Sequence, residues 1–278
     1  LGLPDFLCIG AQKAGTSWLN NVLLEHPQIF MPPINELHFF DRAKKDVRLR
    51  ARQIHLAKKT LRSEEEKGDG ADADYVRYLE HLLSFSQSSL EWYEAAYAWP
   101  VADGVRKGDI TPSYLEIGAK KVAYARELLG PAKLILIVRR PADRLLSQLR
   151  MWAARDDRYD VPQTEQEWMD LLLEMTGKRL RGGYEEGIEL WREFFGRENL
   201  LTLPYGDMRA DPRGLIDRVE DHLGIARFEN YQLLTVQIHA TAKLELPPSV
   251  IAAAAALTAS EDAYIRREFG EEFFGKTK

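Results

Sequence analysis

Apolar residues in this chain fall into short unbroken runs, set apart by stretches with a helical apolar stripe. Phe6–Ile9 and Leu134–Val138 are the two clearest runs. Their length and the turn residues around them predict strands covered on both faces, as in a parallel sheet. The first run breaks at Gly10, and a helical pattern spans Thr16 to Glu25, closing before His26-Pro27. A short strand follows at Ile29–Met31, and another is predicted at Arg106–Ile110, before Thr111-Pro112-Ser113. Glu116–Leu129 reads as a helix ended by Gly130-Pro131, and Pro141 opens the next, at the position where proline suits a first turn. Helices are predicted over 164–176 and 184–195, a strand over Leu200–Leu203, and a further helix from Asp211-Pro212. Val250–Leu257, mostly alanine, also reads as helix. Strands alternating with helices predict a three-layer α/β fold with a central parallel sheet flanked by helices.

Two stretches depart from that alternation. Residues 42–62 hold nine Lys or Arg against one acid, Asp46, and residues 75–98 are aromatic-rich and helical. Both read as a helical insertion, about 42–100, within one domain spanning 1–278. The basic stretch is either a solvated helix face or a dock for an acidic partner, an acidic glycan or an acidic carrier protein.

Composition narrows the class. A length of 278 residues suits one large α/β domain, and 45% hydrophobic residues with six Trp supply its core. There is no apolar run of 18 residues, so no membrane span is expected. The net charge of −5 argues against nucleic acid as a partner. The single cysteine, Cys8, reads as a small buried apolar residue, and no Cys/His cluster has zinc spacing, so a reducing cytoplasm is the expected setting. The chain starts at Leu1 and no secretory signal is visible in it, which leaves a removed N-terminal segment open.

The chemistry begins in the turn after the first strand, Gly10-Ala11-Gln12-Lys13-Ala14-Gly15-Thr16-Ser17-Trp18. Backbone N–H groups at a helix start, a small-residue turn, one lysine and two hydroxyls form an anion cradle, which makes the fold P-loop-like. The triphosphate loop places its lysine directly before the hydroxyl residue. Here Lys13 comes three residues before Thr16. The stretch Gln-Lys-x-Gly-Thr-Ser resembles the 5′-phosphosulfate loop of sulfotransferases that use 3′-phosphoadenosine-5′-phosphosulfate (PAPS). That resemblance implies nucleotide contacts from Lys13, Ala14, Gly15, Thr16, Ser17 and Trp18.

A second signature follows the second strong strand. Arg139 stands at the strand's C-terminal end and Ser147 lies eight residues on, within the next helix. An arginine there points into the crevice where α/β proteins bind ligands, and its fork suits a phosphate. The Arg-x₇-Ser spacing is similar to the 3′-phosphate motif of the same enzymes. Two grips suit a ligand phosphorylated at both 3′ and 5′ positions.

Asn35-Glu36-Leu37-His38-Phe39-Phe40-Asp41 resembles a segment of the heparan-type and bacterial branch, in which the glutamate is the general base. The implied reaction is in-line transfer of a sulfuryl group from PAPS to a hydroxyl of a small-molecule, glycan or carrier-bound acceptor, leaving 3′,5′-ADP (PAP). Glu36 takes the acceptor proton, with His38 as second candidate, and Lys13 stabilises charge on the departing oxygen. No metal is required. That branch carries a second lysine in a Glu-Lys-[Ser/Thr]-Pro-x-Tyr segment, where this chain has Asp109-Ile110-Thr111-Pro112-Ser113-Tyr114. Either Lys107 compensates, or Lys13 and His38 suffice, or the substrate differs. Lys243 is a further candidate nucleotide contact. An ATP-dependent P-loop kinase and a non-catalytic nucleotide-binding protein are the rival readings.

Overall fold

The structure is a computed structural model and describes residues 2–41, 46–86, 88–155, 161–179, 183–236 and 244–278, with the backbone alone at 155 and 177–179. Five parallel strands form its centre: β1 (Phe6–Gly10), β2 (Ile29–Phe30), β3 (Arg106–Ile110), β4 (Lys133–Val138) and β5 (Leu200–Pro204), in the order β2-β3-β1-β4-β5. β1 is buried throughout, and β4 is buried from Leu134 onward. Burying each of their large aliphatic side chains contributes about 1.5–3 kcal/mol. Cys8 lies in this layer, and burial pushes its thiol up to about 12, so it acts as an apolar filler.

Helices flank the sheet. α1 (Thr16–Leu23) follows β1; α2 (Val47–Glu65), α3 (Ala73–Ser84) and α4 (Leu90–Ala96) lie between β2 and β3; α5 (Ala119–Leu129) joins β3 to β4. Between β4 and β5 come α6 (Pro141–Arg155), α7 (Glu165–Arg179) and α8 (Tyr184–Phe195). The chain closes with α9 (Asp207–Ala210), α10 (Pro212–Leu223), α11 (Pro248–Leu257) and α12 (Ala259–Gly275). α12 is absent from the sequence-based expectation. Its apolar residues follow no clean stripe, and Gly270, at φ 84°, kinks it.

Three packing features position the site. The chain leaves β1 toward β2 and β3 on one side and reaches β4 and β5 on the other, so the order reverses at β1. Ligands of open α/β sheets bind beyond the C-terminal strand ends at such a point. The register aligns Cys8 with Ile110 and with Ile135, placing the loops after β3, β1 and β4 side by side. A second apolar cluster joins Leu146 and Leu149 of α6, Leu172 and Met175 of α7, and Val250 of α11, which fixes the helix that carries Ser147.

α2 is anchored by residues that hydropathy marks as surface. Asp46 caps it by accepting from the Leu49 N–H at 3.0 Å. Arg50 is buried, donates to the Leu82 and Phe85 carbonyls, and sits 5.2 Å from the Trp92 ring centre. Gln53 donates to the Leu37 carbonyl at 2.7 Å, which ties α2 to the segment bearing Glu36 and His38.

Candidate active site

The turn after β1 binds back to β4: Ala11 N–H donates to the Ile137 carbonyl at 3.0 Å. Gly15 begins α1 at φ 83°, a conformation glycine adopts freely, and a Cβ there would lie 2.6 Å from the Met208 sulfur. No side chain caps this helix, and the Trp18 N–H bonds back to the Gly15 carbonyl at 2.9 Å. Ala14, Thr16 and Trp18 are buried, and Ser17 is half-buried. The Trp18 indole N–H donates to the Leu234 carbonyl at 3.2 Å, so this ring also secures the 231–236 segment.

Lys13 lies at φ 67°, and its ammonium donates to the Met151 sulfur at 3.7 Å. Met151 sits one turn beyond Ser147, on the same face of α6. The lysine head is thereby directed toward the helix of the second grip. Arg139 closes the gap from β4 by donating from Nη1 to the Lys13 carbonyl at 2.9 Å. Its guanidinium lies 4.6 Å from the Tyr205 ring centre. Its backbone is clamped by Tyr184, whose hydroxyl accepts from the Arg139 N–H and donates to the Arg139 carbonyl, both at 3.1 Å. Arg139 Nε is buried without a hydrogen-bond partner among the described residues. A buried cationic donor of this kind is costly unless an anion meets it, which fits a phosphate group. Ser147 is 4% exposed. Lys243 lies outside the described residues.

The second half of the site forms beyond β3. Glu36 and His38 both adopt positive φ, 58° and 53°. Such backbone costs roughly 1–3 kcal/mol per residue and persists only where the surroundings enforce it. His38 is held between two carboxylates: Nε2 lies 3.3 Å from Glu36 Oε2, and Nδ1 lies 2.9 Å from Asp41 Oδ2. Ser113 donates to Asp41 Oδ2 at 2.8 Å, and Lys121 donates to the Asp41 carbonyl at 2.7 Å. Arg52 of α2 reaches Glu36 Oε2 at 3.5 Å.

Electrostatics divides these roles. Burial works against the imidazolium, yet the hydrogen bonds to Asp41 and Glu36 outweigh it and push His38 up to about 9. Burial likewise opposes ionisation of Glu36, but the bond to His38 and the charge of Arg52 hold it below the ordinary carboxylate range. At neutral pH the pair is a carboxylate beside an imidazolium: an acceptor of protons next to a donor of positive charge.

Lys107 does not join this group. It lies near the start of β3, paired in register with Phe30, and its ammonium donates to the Tyr97 carbonyl at 2.7 Å. The site is at the other end of the strand, so Lys107 does not take the place of the missing lysine. Ile110 is buried in the core. Asp41, Arg52, Ser113 and Thr111 belong to the site as much as the residues expected from sequence. Asp41, Thr111 and Ser113 stand in the two segments, 35–41 and 109–114, that the sequence itself singles out. Among the described residues, no group of three or more His, Cys, Asp or Glu is placed to hold a metal ion.

The model of the sulfotransferase family matches residues 4–230. The bifunctional heparan sulfate N-deacetylase/N-sulfotransferase 4 of Mus musculus is 26% identical over 246 residues, covering 82% of this chain and 23% of that protein. The heparan sulfate glucosamine 3-O-sulfotransferase 3B1 of Homo sapiens is 25% identical over 230 residues, covering 81% of this chain and 47% of that protein. The chain thus spans less than half the length of either relative. A sulfotransferase from Alicyclobacillus acidocaldarius shares the fold, with a TM-score of 0.62 at 20% identity over 96% of both chains.

Proposed function

This chain belongs to the sulfotransferase family, and from that premise we propose that it transfers a sulfuryl group from PAPS to an acceptor hydroxyl, leaving PAP. The observation that carries the reading is the pairing of an uncapped helix start at Gly15 with Arg139, whose buried Nε has no partner among the described residues. The loop at Lys13–Trp18 would hold the 5′ end of the nucleotide, and Arg139 with Ser147 the 3′-phosphate. A kinase is not favoured, because Lys13 lies three residues before Thr16 and the family match is to sulfotransferases.

Within this reading Glu36 is the general base. Its depressed pKa keeps it ionised, and it lies beside a cation that stabilises it. His38, cationic at neutral pH, supplies positive charge to the transferring group and is not a second base. Lys13 stabilises charge on the departing oxygen. PAPS, when bound, supplies the activated sulfuryl group, and the proton budget stays with Glu36. Residues 1–278 act as one catalytic unit with helices inserted at about 42–100, and the single buried Cys8 suits a reducing cytoplasmic setting. No helix of the described residues is long and apolar enough to cross a membrane.

For the partner, the exposed face of α2 is the relevant surface. Arg48, Arg52, His55, Lys59 and Arg62 recur at spacings of four and three, so they form one exposed basic stripe that begins beside Glu36. Lys44 and Lys45 of the basic stretch lie outside the described residues. The stripe suits an acidic glycan or an acidic carrier protein that presents the hydroxyl, and relatives named for heparan sulfate support the former. The reading is tested by thermal shift with PAP, 5′-AMP and ATP. PAP is expected to stabilise the protein most, and equal shifts for all three would refute it.

A further inference from the structure

Three hydroxyl groups converge on one carboxyl at the inner edge of the site. Thr111 donates to Asp109 Oδ1 at 2.7 Å, while Tyr114 and Tyr93 donate to Oδ2 at 2.9 and 3.0 Å. Asp109 is 1% exposed. A carboxylate accepts and cannot donate, so it turns all three hydroxyl hydrogens toward itself and leaves the oxygens free to accept from elsewhere. Two of them accept from the strained segment: Tyr114 from the Phe39 N–H at 2.9 Å, and Thr111 from the His38 N–H at 3.5 Å. The third hydroxyl belongs to Tyr93, whose ring stacks on Phe39 at 4.1 Å with 7° between the planes. The groups that receive the His38 and Phe39 backbone N–H, Thr111 and Tyr114, take their orientation from Asp109, while Ser113 holds the His38 ring and Asp41 independently of it.

We propose that Asp109 is a positioning residue of sulfuryl transfer, acting through Thr111 and Tyr114 to hold the left-handed backbone at His38, and with it the Glu36–His38 pair, in reacting geometry. The proposal rests on the assignment of Glu36 as base. Its independent support is cost: burial pushes the Asp109 carboxyl up to about 6, with the hydrogen bonds from Thr111, Tyr114 and Tyr93 only partly offsetting it. An apolar residue here could not orient the two acceptors and would leave three buried hydroxyl groups without their common partner. Above that pH the ionised carboxyl is acceptor-only. An asparagine offers one acceptor oxygen and an NH₂ donor, so it reorients at least one hydroxyl.

The experiment uses the full chain with isotope-labelled histidine, PAP bound, and NMR titration of the His38 ring. The charged and titratable groups around that ring are Glu36, Asp41, Asp109 through its charge, Arg52 acting on Glu36, and Lys121 acting on Asp41, so the charge-retaining variants carry the decision. Wild-type His38 is expected to titrate near 9. Thr111→Val and Tyr114→Phe remove the accepting oxygens without removing the Asp109 charge. Each is expected to lower the His38 midpoint by about one pH unit, as is Asp109→Asn. The double variant Asp109→Asn/Tyr114→Phe should shift it no further than the larger single change, the mark of one chain of action. PAP affinity by calorimetry should stay within about twofold, because the nucleotide grips lie on β1 and β4. If both charge-neutral variants leave the His38 midpoint at its wild-type value, the proposal is overturned. It is equally overturned if PAP affinity falls in step, since the effect is then a general loosening of the sheet edge. Should Asp109→Asn not fold, Thr111→Val and Tyr114→Phe decide alone. A Glu36→Gln variant that releases PAP from PAPS at the wild-type rate would remove the base assignment, yet leave the His38 shifts to be judged separately.

Discussion

At the ends of β1 and β4 the polar side chains are mainly donors, Lys13 and Arg139; at the end of β3 they are donors and acceptors paired with each other. The first region offers the uncapped start of α1, the Lys13 ammonium along α6, and a buried Arg139 N–H with no partner among the described residues. The second is a closed network of Glu36, His38, Asp41, Ser113 and Arg52 on a backbone that is itself strained. Under the proposed roles the difference follows from the task. A nucleotide brings its own negative charge, so its site needs unmet donors. A proton-accepting carboxylate must have its charge and direction set before the acceptor arrives, so its site is satisfied in advance. Binding and chemistry are therefore separable by mutation.

The largest expected effect is at the closed region. Glu36→Gln keeps the shape and removes the base, and turnover of PAPS with an acceptor should fall about 10²- to 10⁴-fold. Retained turnover would move the base elsewhere. At the open region, Arg139→Ala should cut the preference for PAP over 5′-AMP by roughly 10- to 100-fold, the scale of lost charge-assisted hydrogen bonds. Calorimetry with the two nucleotides measures it, and intact discrimination would show that the 3′-phosphate is read by other residues.

The pH profile separates the regions next. Activity should fall on the acid side as Asp109 gains a proton near pH 6, before Glu36 does so below the ordinary carboxylate range, and on the alkaline side as His38 loses its proton near pH 9. Stability follows the same groups with definite signs. His38 is raised in the fold, so its contribution is complete below its ordinary value of 6.5 and is lost as pH rises through about 9. Asp109 is also raised, so its contribution is complete below 3.8 and is lost as pH rises through about 6. Denaturant melts across pH 4–10 should therefore show an upper step that His38→Gln abolishes. The smallest effect belongs to Lys107→Ala. Its ammonium bonds a carbonyl at the far end of β3, so turnover should change by less than about twofold. A large loss would return Lys107 to the site.

How much of this was legible in the sequence differs between the two regions for a physical reason. The nucleotide side is local in the chain. β1, its loop and α1 are contiguous, and Arg139 and Ser147 lie on one strand-to-helix unit, so apolar runs and spacing bring both candidate grips into view. The network around Glu36 is assembled by tertiary contact. Arg52 arrives from α2, Ser113 and Thr111 from the turn after β3, and Asp109 from the strand interior, where an acidic residue in a short run reads as noise. Lys107 stayed a candidate until the register placed it against Phe30. The buried Arg50, with its bonds to Leu82 and Phe85, shows the same limit, because charge alone reads it as surface.

The central claim is that the two regions do separate jobs, and the most direct measurement crosses them. PAP affinity and PAPS turnover are determined on the same preparations of Glu36→Gln and Arg139→Ala. The account predicts that Glu36→Gln binds PAP within about twofold of wild type while its turnover collapses, and that Arg139→Ala loses PAP affinity by roughly 10-fold or more. If Glu36→Gln lost PAP affinity in proportion to its turnover, or Arg139→Ala bound PAP as wild type does, the division between an open grip and a closed reaction centre would be wrong.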